Sequence, residues 1–326
     1  MEQFGALATK TQYSLLNNLD ERSLIILCKR RGIFFYSDIK KYDLIVSIIQ
    51  WYNNIHYLEG KQIRCYLVSE CGPRKNMEDD YVIKSQDGIS VYGVFDGHGG
   101  NYISRRLRNA CSTYLLEYLT KHGLNSRNIK QAFLDIDNNF YNSWRRNVFG
   151  TDGSTASIVI SDKNLLYFTN AGDSRTVLYD ENGVYFSTRD HKPSEPDEFE
   201  RIENTRYDVQ MKDVARIGGL LAVSRGFGDF IYKIDERDNY RPVDYAVSAV
   251  PEITRIELKT IHNSRIKTVV CATDGLWDVF SNLEIYNFIR VSKSRGLKYK
   301  TIMRDLVNLA YERGSTDNVT ILIVEL

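Results

Sequence analysis

The chain has 326 residues, of which 43% are hydrophobic, 12% aromatic and 26% charged, and its formal net charge is +1. These values exclude a collagen-like, low-complexity or largely disordered chain. The balanced charge gives no global electrostatic field that favours nucleic acid or an anionic membrane, so any such affinity must be local. The length predicts about two domains, or one large domain with an appendage.

The cysteines and the apolar runs indicate the compartment. The five cysteines are odd in number and include no C-x-x-C pair, which disfavours a zinc site or a disulfide framework. The first residues lack the basic head and apolar run of a signal peptide, and no apolar stretch approaches the ~20 residues that span a bilayer. We therefore expect a soluble, intracellular monomer, cytoplasmic or nuclear, without membrane contact.

Residues 1–55 have a different pattern from the rest of the chain. Apolar residues recur at helical spacing from 15 to 28, and Gly32 ends this run after three basic residues, as a helix C-terminus prefers. A second helix is predicted over 38–51. We therefore predict a small helical segment at 1–55 and a main domain at 56–326.

Three stretches of this segment, 19–24, 28–33 and 40–45, resemble the SAP-type helix-extended-helix motif. In that family the motif often binds DNA, which makes DNA one expected partner. The charge of these stretches gives only a thin electrostatic footprint for DNA. The alternative is a helical appendage that packs on the main domain or contacts a protein.

Short apolar runs alternate with turn residues in the main domain, and amphipathic stretches lie between some of them. Strands dominate, and the helices come in consecutive pairs, which favours stacked sheets with helices outside over a strict βαβ alternation. Strands are predicted at 91–95, 157–160, 165–169, 176–179, 269–272 and 319–324, and helices at 103–119, 129–144, 283–291 and 301–313.

Aspartates stand at the ends of these strands: Asp79, Asp96, Asp173, Asp274 and Asp317. A carboxylate at the end of an apolar strand is costly to desolvate unless positive charge balances it. Mg²⁺ and Mn²⁺ prefer oxygen ligands, and two such ions ~4 Å apart can share a hydroxide for in-line attack on phosphorus. The set therefore indicates one shared cation site. The alternative is a group of unrelated turn aspartates, which are common after strands.

Eight sequence blocks in a fixed order carry a resemblance that covers roughly residues 60–326. The blocks are 74–79, 94–100, 153–156, 171–175, 190–193, 221–229, 272–278 and 315–320. Together they resemble the metal-dependent serine/threonine protein phosphatase family, type 2C. The resemblance implies an α+β fold, a four-layer α/β/β/α sandwich of two antiparallel sheets flanked by helix pairs.

The resemblance implies two Mn²⁺ or Mg²⁺ ions and assigns their ligands. Asp96 matches the ligand that touches both ions, and Gly97 would offer its backbone carbonyl to one of them. Asp274 and Asp317 match the carboxylates that complete the other ion. Glu78 and Asp79 match residues that hold metal-bound waters.

Further roles follow from the same resemblance. Asp173 matches an aspartate that some members use for a weaker third ion. Arg74 matches the arginine that grips the substrate phosphate, for which its planar fork and fixed charge are suited. His98 matches the general acid that protonates the leaving alkoxide. The alternative for His98 is a hydrogen-bonding role in its Gly-rich turn.

The implied reaction is hydrolysis of phosphoserine and phosphothreonine in phosphoproteins by direct attack of a metal-bridging hydroxide, without a phosphoenzyme. Two alternatives remain: a pseudophosphatase that serves as a binding module, and a phosphatase that the N-terminal helices tether to DNA or a partner. The intact set of Arg74, Asp96, Asp274 and Asp317 favours the enzyme.

Two segments depart from the family pattern. Residues 204–207 replace a Gly-rich step near the substrate, so peptide selectivity is expected to be unusual. Residues 233–245 are strongly charged and are expected to form a mobile loop. Arg225 and Asp229 are expected to organise a loop beneath the site.

Overall fold

The computed structural model describes residues 20–25, 41, 64–147, 151–261 and 267–326. Fifteen strands lie in these ranges. They are β1 (Arg64–Glu70), β2 (Asp80–Gln86), β3 (Ile89–Phe95), β4 (Gly97–His98), β5 (Gly153–Ser154), β6 (Ala156–Ser161), β7 (Leu165–Ala171), β8 (Arg175–Asp180), β9 (Gly183–Ser187), β10 (Val209–Met211), β11 (Ala215–Ile217), β12 (Phe227–Gly228), β13 (Glu252–Glu257), β14 (Thr268–Ala272) and β15 (Val319–Glu325).

In the described part of the chain, three α-helices lie between β4 and β5, one lies between β9 and β10, and three lie between β14 and β15. The predicted helix at 103–119 is continuous, but a π-helical turn (Cys111–Leu115) divides it into α1 and α2. Ser281 and Glu284 form a capping box at the start of α6. The helices are α1 (Tyr102–Ala110), α2 (Leu116–His122), α3 (Ser126–Asn147), α4 (Pro196–Glu203), α5 (Asp274–Trp277), α6 (Asn282–Ser294) and α7 (Tyr299–Glu312).

The strands form two five-stranded antiparallel sheets. Sheet I has the order β13-β7-β6-β3-β2, and sheet II has the order β1-β15-β14-β8-β9. Two smaller units stand beside them: the hairpin β10-β11, and the three-stranded set β12-β5-β4, here called the site sheet. The site sheet joins one end of sheet I to the loop that follows β11.

Four layers are held together by three apolar cores. Along β3, Val91 and Phe95 face the core shared with α1, α2 and α3, whereas Tyr92 and Val94 face the core between the two sheets. The side chains of β14 and β15 alternate in the same way. On one face they pack in the inter-sheet core, and on the other they pack in the core shared with α6 and α7. Because side chains alternate along a strand, each central strand is buried on both faces.

The structure confirms the predicted fold class and all six strands predicted in the main domain. Sequence reasoning missed β1, β9, β13 and α4. β13 reads Glu-Ile-Thr-Arg-Ile-Glu, with charges at both ends and in the middle. A half-exposed edge strand of this kind carries no apolar run, so only its pairing with β7 reveals it.

The described part of the N-terminal segment is short. Residues 21–25 are helical, Asp20 accepts a hydrogen bond from the backbone N–H of Ser23 at 2.6 Å, and Leu24 is fully buried. This agrees with the first predicted helix. The second predicted helix lies outside the described residues, apart from Lys41, which is helical, and so does the predicted boundary between residues 55 and 56.

Two other expectations concern the whole chain. Cys65, Cys71, Cys111 and Cys271, the cysteines in the described ranges, are all free thiols. A search of the same ranges finds no helix with the length and apolar character needed to cross a bilayer.

The inter-sheet core is expected to dominate stability. Phe168 on β7 is 1% exposed and packs its ring 4.9 Å from that of Phe186. Phe168→Ala should lower the free energy of unfolding by about 3–5 kcal/mol, since a large cavity remains. Tyr185→Ala, at a position 43% exposed on β9, should change it by less than about 0.5 kcal/mol. Urea unfolding of both variants checks this, and equal midpoints would contradict the assignment of the core.

Candidate metal centre

One end of the sandwich collects the predicted acidic ligands. β3 and β14 end there, directly before the segments that carry Asp96 and Asp274. β2 and β15 begin there, after Asp79 and Asp317, and Asp173 lies in the turn between β7 and β8. Because neighbouring strands are antiparallel, the end of one strand lies beside the start of the next. Residues far apart in sequence therefore meet at one edge.

Asp96 and Asp274 lie close enough to influence each other's ionisation. Burial, with the charge of Asp274, raises the pKa of Asp96 well above its usual range. Burial, with the charge of Asp278, raises the pKa of Asp274 to about 6. A nearby positive charge would relieve the repulsion between these carboxyl groups.

Burial and the negative charge of Asp274 also act on Asp79 and Asp173. Burial raises the pKa of Asp79 to about 8, although the hydroxyl of Thr273 donates to its Oδ2 at 2.9 Å. Burial, followed by the charge of Asp274, raises the pKa of Asp173 to about 8. Asp274 is thus common to the surroundings of both groups. Mutual repulsion of this kind is characteristic of carboxylates gathered for a divalent ion.

A divalent cation of the Mg²⁺ or Mn²⁺ type fits this donor set. All the predicted side-chain ligands are carboxylates, which are hard oxygen donors, and the raised pKa values of Asp79, Asp96 and Asp173 report negative charge in need of balance. Within the described ranges, however, no three His, Cys, Asp or Glu side chains already surround one point as a coordination shell. The structure brings the predicted ligands to one end of the fold, and their exact ligation stays a prediction.

The backbone at Gly97 is closely enclosed. A Cβ atom there would lie 2.4 Å from the carbonyl oxygen of Glu78. Glu78 is itself held by its backbone, since its N–H donates to Asn318 Oδ1 at 2.8 Å and its carbonyl accepts from Ser104 at 2.6 Å. The Asn318 amide also donates to the carbonyls of Cys71 and Asn76. Asn318 therefore ties the loop before β15 to the loop before β2.

Arg74 lies at the mouth of the site. Its guanidinium donates to Asp317 Oδ2 at 2.5 Å and to the carbonyl of Thr316 at 3.1 Å, and its side chain is 51% exposed. The structure therefore places the predicted phosphate-binding arginine against a predicted metal ligand. The guanidinium balances the Asp317 carboxylate at the rim, where an incoming phosphate would also meet it.

His98 is paired with a buried carboxylate. Its Nε2 lies 2.8 Å from Oδ2 of Asp229, which is 2% exposed. Burial lowers the pKa of His98, but the charges of Asp229, Asp173 and Glu78 outweigh it and raise that pKa above its ordinary value. The imidazole is thus held beside acidic groups that favour its charged form. Sequence reasoning placed Asp229 in a loop beneath the site and missed it as the partner of His98.

The site sheet makes this pairing possible. β4 and β12 both pair with β5, and His98 and Gly228 both lie opposite Gly153. A Cβ at Gly153 would lie 2.1 Å from Asp229 Oδ2 and 2.4 Å from His98 Nε2. Only a residue without a side chain leaves room for the two groups to meet there.

Lys192 and Asp278 also belong to the acidic end, and sequence reasoning gave neither a role. The Lys192 ammonium lies 3.7 Å from Asp278 Oδ1. Its positive charge partly offsets the rise in the pKa of Asp173 and of Asp274. The sequence did contain a signal for Asp278. It follows Asp274 by about one helical turn, so the two carboxylates are expected on the same face of a helix. His191, next to Lys192, is fully buried, and its Nδ1 accepts a hydrogen bond from the backbone N–H of Gly172. This contact gives His191 a structural role.

The layers and the acidic end define a class: an α/β/β/α sandwich with a cluster of carboxylates at one end of its sheets. Residues 63–319 match the family model described as Protein phosphatase 2C. The chain belongs to the protein phosphatase 2C family.

Relatives and solved structures agree with this assignment. "Probable protein phosphatase 2C 7" of Oryza sativa subsp. japonica is 35% identical over 81% of this chain and 66% of its own length. "Protein phosphatase 1B" of Homo sapiens is 36% identical over 81% of this chain and 57% of its own length. The chain thus spans about three fifths of these relatives.

The similar solved structures establish the fold. A phosphatase from Toxoplasma gondii has a TM-score of 0.69 at 22% identity and covers 81% of this chain and 94% of its own. A C. elegans sex-determining protein has a TM-score of 0.71 at 22% identity and covers 90% of this chain and 77% of its own.

The close approach at Gly153 generates a prediction. Gly153→Ala should separate Asp229 from His98, because the added methyl group would occupy their contact, and turnover of a phosphopeptide should fall at least about tenfold. Gly123→Ala is the control, since its left-handed backbone is strained by a side chain but nothing lies within 4 Å of the added atom. It should lower stability without changing turnover. Full activity of Gly153→Ala in a steady-state assay would refute the geometry.

Proposed function

We propose that this protein is a metal-dependent phosphatase that hydrolyses phosphoserine and phosphothreonine in phosphoproteins. The observation that carries the proposal is the gathering of Asp79, Asp96, Asp173 and Asp274, which are buried or half-buried, at one end of the sheets, where desolvation and neighbouring carboxylates raise the pKa of each. Membership of the protein phosphatase 2C family and the printed names of the relatives support the same activity.

The proposal assigns Asp96, Gly97, Asp274 and Asp317 to two Mn²⁺ or Mg²⁺ ions. Glu78 and Asp79 would hold waters on these ions, and Asp173 would hold a weaker third ion. When bound, such ions neutralise phosphate charge and lower the pKa of water to supply a nucleophile.

The protein's own groups orient the substrate and move the proton. Arg74 meets the phosphate at the rim, where its fork can donate two parallel hydrogen bonds. His98 holds a proton because the Asp229 carboxylate favours the imidazolium. It gives that proton to the departing serine or threonine oxygen, which is a poor leaving group as an alkoxide.

A pseudophosphatase that only binds phosphoproteins is the competing function. Such a module needs a phosphate contact but no acid, yet His98 is held by a dedicated buried carboxylate and by a glycine that makes room for it. These features support an enzyme.

The division into a helical segment at 1–55 and a phosphatase domain at 56–326 stays a prediction, as do the monomeric state and a reducing compartment. We propose that 1–55 contacts a partner, with DNA as one candidate. Salt-dependent retardation of duplex DNA by the full chain, absent when residues 1–55 are deleted, supports DNA. No retardation at low salt excludes it.

Removing a metal ligand should have opposite effects with and without cation. Asp96→Asn should leave the cation-free protein as stable as the parent or more stable, because one repelling carboxylate is lost. Mn²⁺ at about 100 times its Kd should stabilise the parent by about 2.7 kcal/mol and the variant far less. Thermal unfolding with and without Mn²⁺ measures this, and phosphatase turnover should vanish in parallel.

Asp87→Asn is the matched control, because this exposed aspartate has a left-handed φ of 50° that asparagine also adopts. It should keep both the Mn²⁺ response and turnover. Full turnover of Asp96→Asn in Mn²⁺, or undiminished activity of the parent in EDTA, would contradict the proposed site.

The acid role of His98 predicts a dependence on the leaving group. His98→Asn should lower kcat for a phosphoserine peptide about 100-fold. It should lower kcat for p-nitrophenyl phosphate far less, since p-nitrophenolate departs without a proton. His122→Asn, at an exposed position, should leave both unchanged. Equal losses on the two substrates would show that His98 is not the acid.

A further inference from the structure

A charged cluster inside the protein touches the chain one residue from Asp229. Asp137 on α3 is fully buried. Its Oδ1 accepts from the backbone N–H of Gly228 at 2.9 Å, and its Oδ2 accepts from Lys233 Nζ at 2.7 Å and from the Tyr240 hydroxyl at 2.5 Å. Helix α3 in the outer layer is thus hydrogen-bonded to the segment 226–233, here called the strap, which carries Asp229.

Lys233 closes the strap from its other end. Its ammonium is fully buried and donates to the carbonyl of Gly226 at 2.8 Å as well as to Asp137. Residues 226–233 therefore form a loop whose first residue is bonded to its last, with Asp137 between them. We call Asp137, Lys233 and Tyr240 the strap clamp.

Asp229 is held at the centre of this strap in a rare conformation. Its φ is 50°, in the left-handed region that few residues other than glycine adopt. Its N–H donates to the carbonyl of Asp152 at 3.3 Å, and its carbonyl accepts from Tyr232 at 2.9 Å. Such a conformation persists only where the surroundings impose it. The strap clamp supplies that constraint on the side away from His98.

A buried ion pair such as Asp137–Lys233 stabilises a core little for the volume that it fills. Desolvation of two buried charges offsets much of their attraction, and apolar residues of similar volume serve stability as well or better. The surroundings are apolar already, since the rings of Tyr141 and Tyr240 stack at 4.0 Å and Phe230 lies beside them. A purely structural role therefore does not account for the charges.

We propose that Asp137 and Lys233 are positioning residues for proton transfer, which act by fixing Asp229 and, through it, the imidazole of His98. The inference rests on the proposed function, because it requires His98 to be the acid. It also accounts for residues 233–245, which the sequence reading expected to be a mobile loop. Lys233 and Tyr240 instead bind them to the core.

The test compares two substrates in a variant designed to fold. In Asp137→Leu/Lys233→Met both charges are replaced together, so no unpaired charge is left buried. Thermal unfolding should show a cooperative transition at a lower temperature than that of the parent, because the Gly228 N–H, the Tyr240 hydroxyl and the Gly226 carbonyl lose their buried partners. Misplacement of His98 should lower kcat for a phosphoserine peptide at least about tenfold, with KM and the kcat for p-nitrophenyl phosphate within about twofold of the parent.

Two further variants separate positioning from general damage. Asp135→Asn is the control: Asp135 lies on the same helix, but its carboxylate accepts hydrogen bonds from Tyr114 and Gln131 and none of these partners belongs to the strap. It should leave both substrates unaffected. Asp229→Asn should show the selective loss by itself, and adding Asp137→Leu/Lys233→Met to it should cause no further loss, because the clamp acts through Asp229.

The outcomes discriminate between this inference and the proposed function. If His98→Asn and Asp229→Asn lose activity selectively while the folded Asp137→Leu/Lys233→Met protein keeps full phosphopeptide turnover, the clamp is overturned and the phosphatase proposal stands. If the paired variant fails to fold, the charges are structural and the inference is overturned. If His98→Asn affects both substrates equally, the acid role falls and the inference falls with it.

Discussion

The architecture depends on a cluster of like charges that folding forces together. Antiparallel strands of two sheets start and end at one edge, and the residues just beyond them include Asp79, Asp96 and Asp274. Their burial is unfavourable without positive charge nearby. Lys192 and Arg74 supply some of it from the rim. The remaining unbalanced charge is the reason we propose a cation site at this edge, since a divalent ion balances several carboxylates at once.

A second constraint connects the helical layer to the chemistry. The site sheet sets His98 and Asp229 on opposite sides of Gly153, with no space for a side chain between them. Asp137 reaches the same sheet from α3 through Gly228. Hydrogen bonds therefore link the outer helix, residues 226–233 and the imidazole in series, and we propose that the orientation of His98 depends on this link.

Much of this was predictable from the sequence. The apolar strands and the aspartates after them, such as Val91–Phe95 followed by Asp96, have a local signal, and so does the helical spacing of α3. Contacts between residues far apart in the sequence leave no such local signal. Asp229 lies 131 positions from His98, and Lys233 lies 96 positions from Asp137. A charged stretch such as 233–245 resembles a solvated loop until the fold supplies a buried partner for its lysine.

The account is tested most directly by a crystal structure of the protein grown with Mn²⁺, with anomalous scattering measured at the manganese edge. It predicts two strong anomalous peaks at the acidic end of the sandwich, with Asp96 in contact with both. The absence of any peak there, or peaks only at surface carboxylates elsewhere, would contradict it.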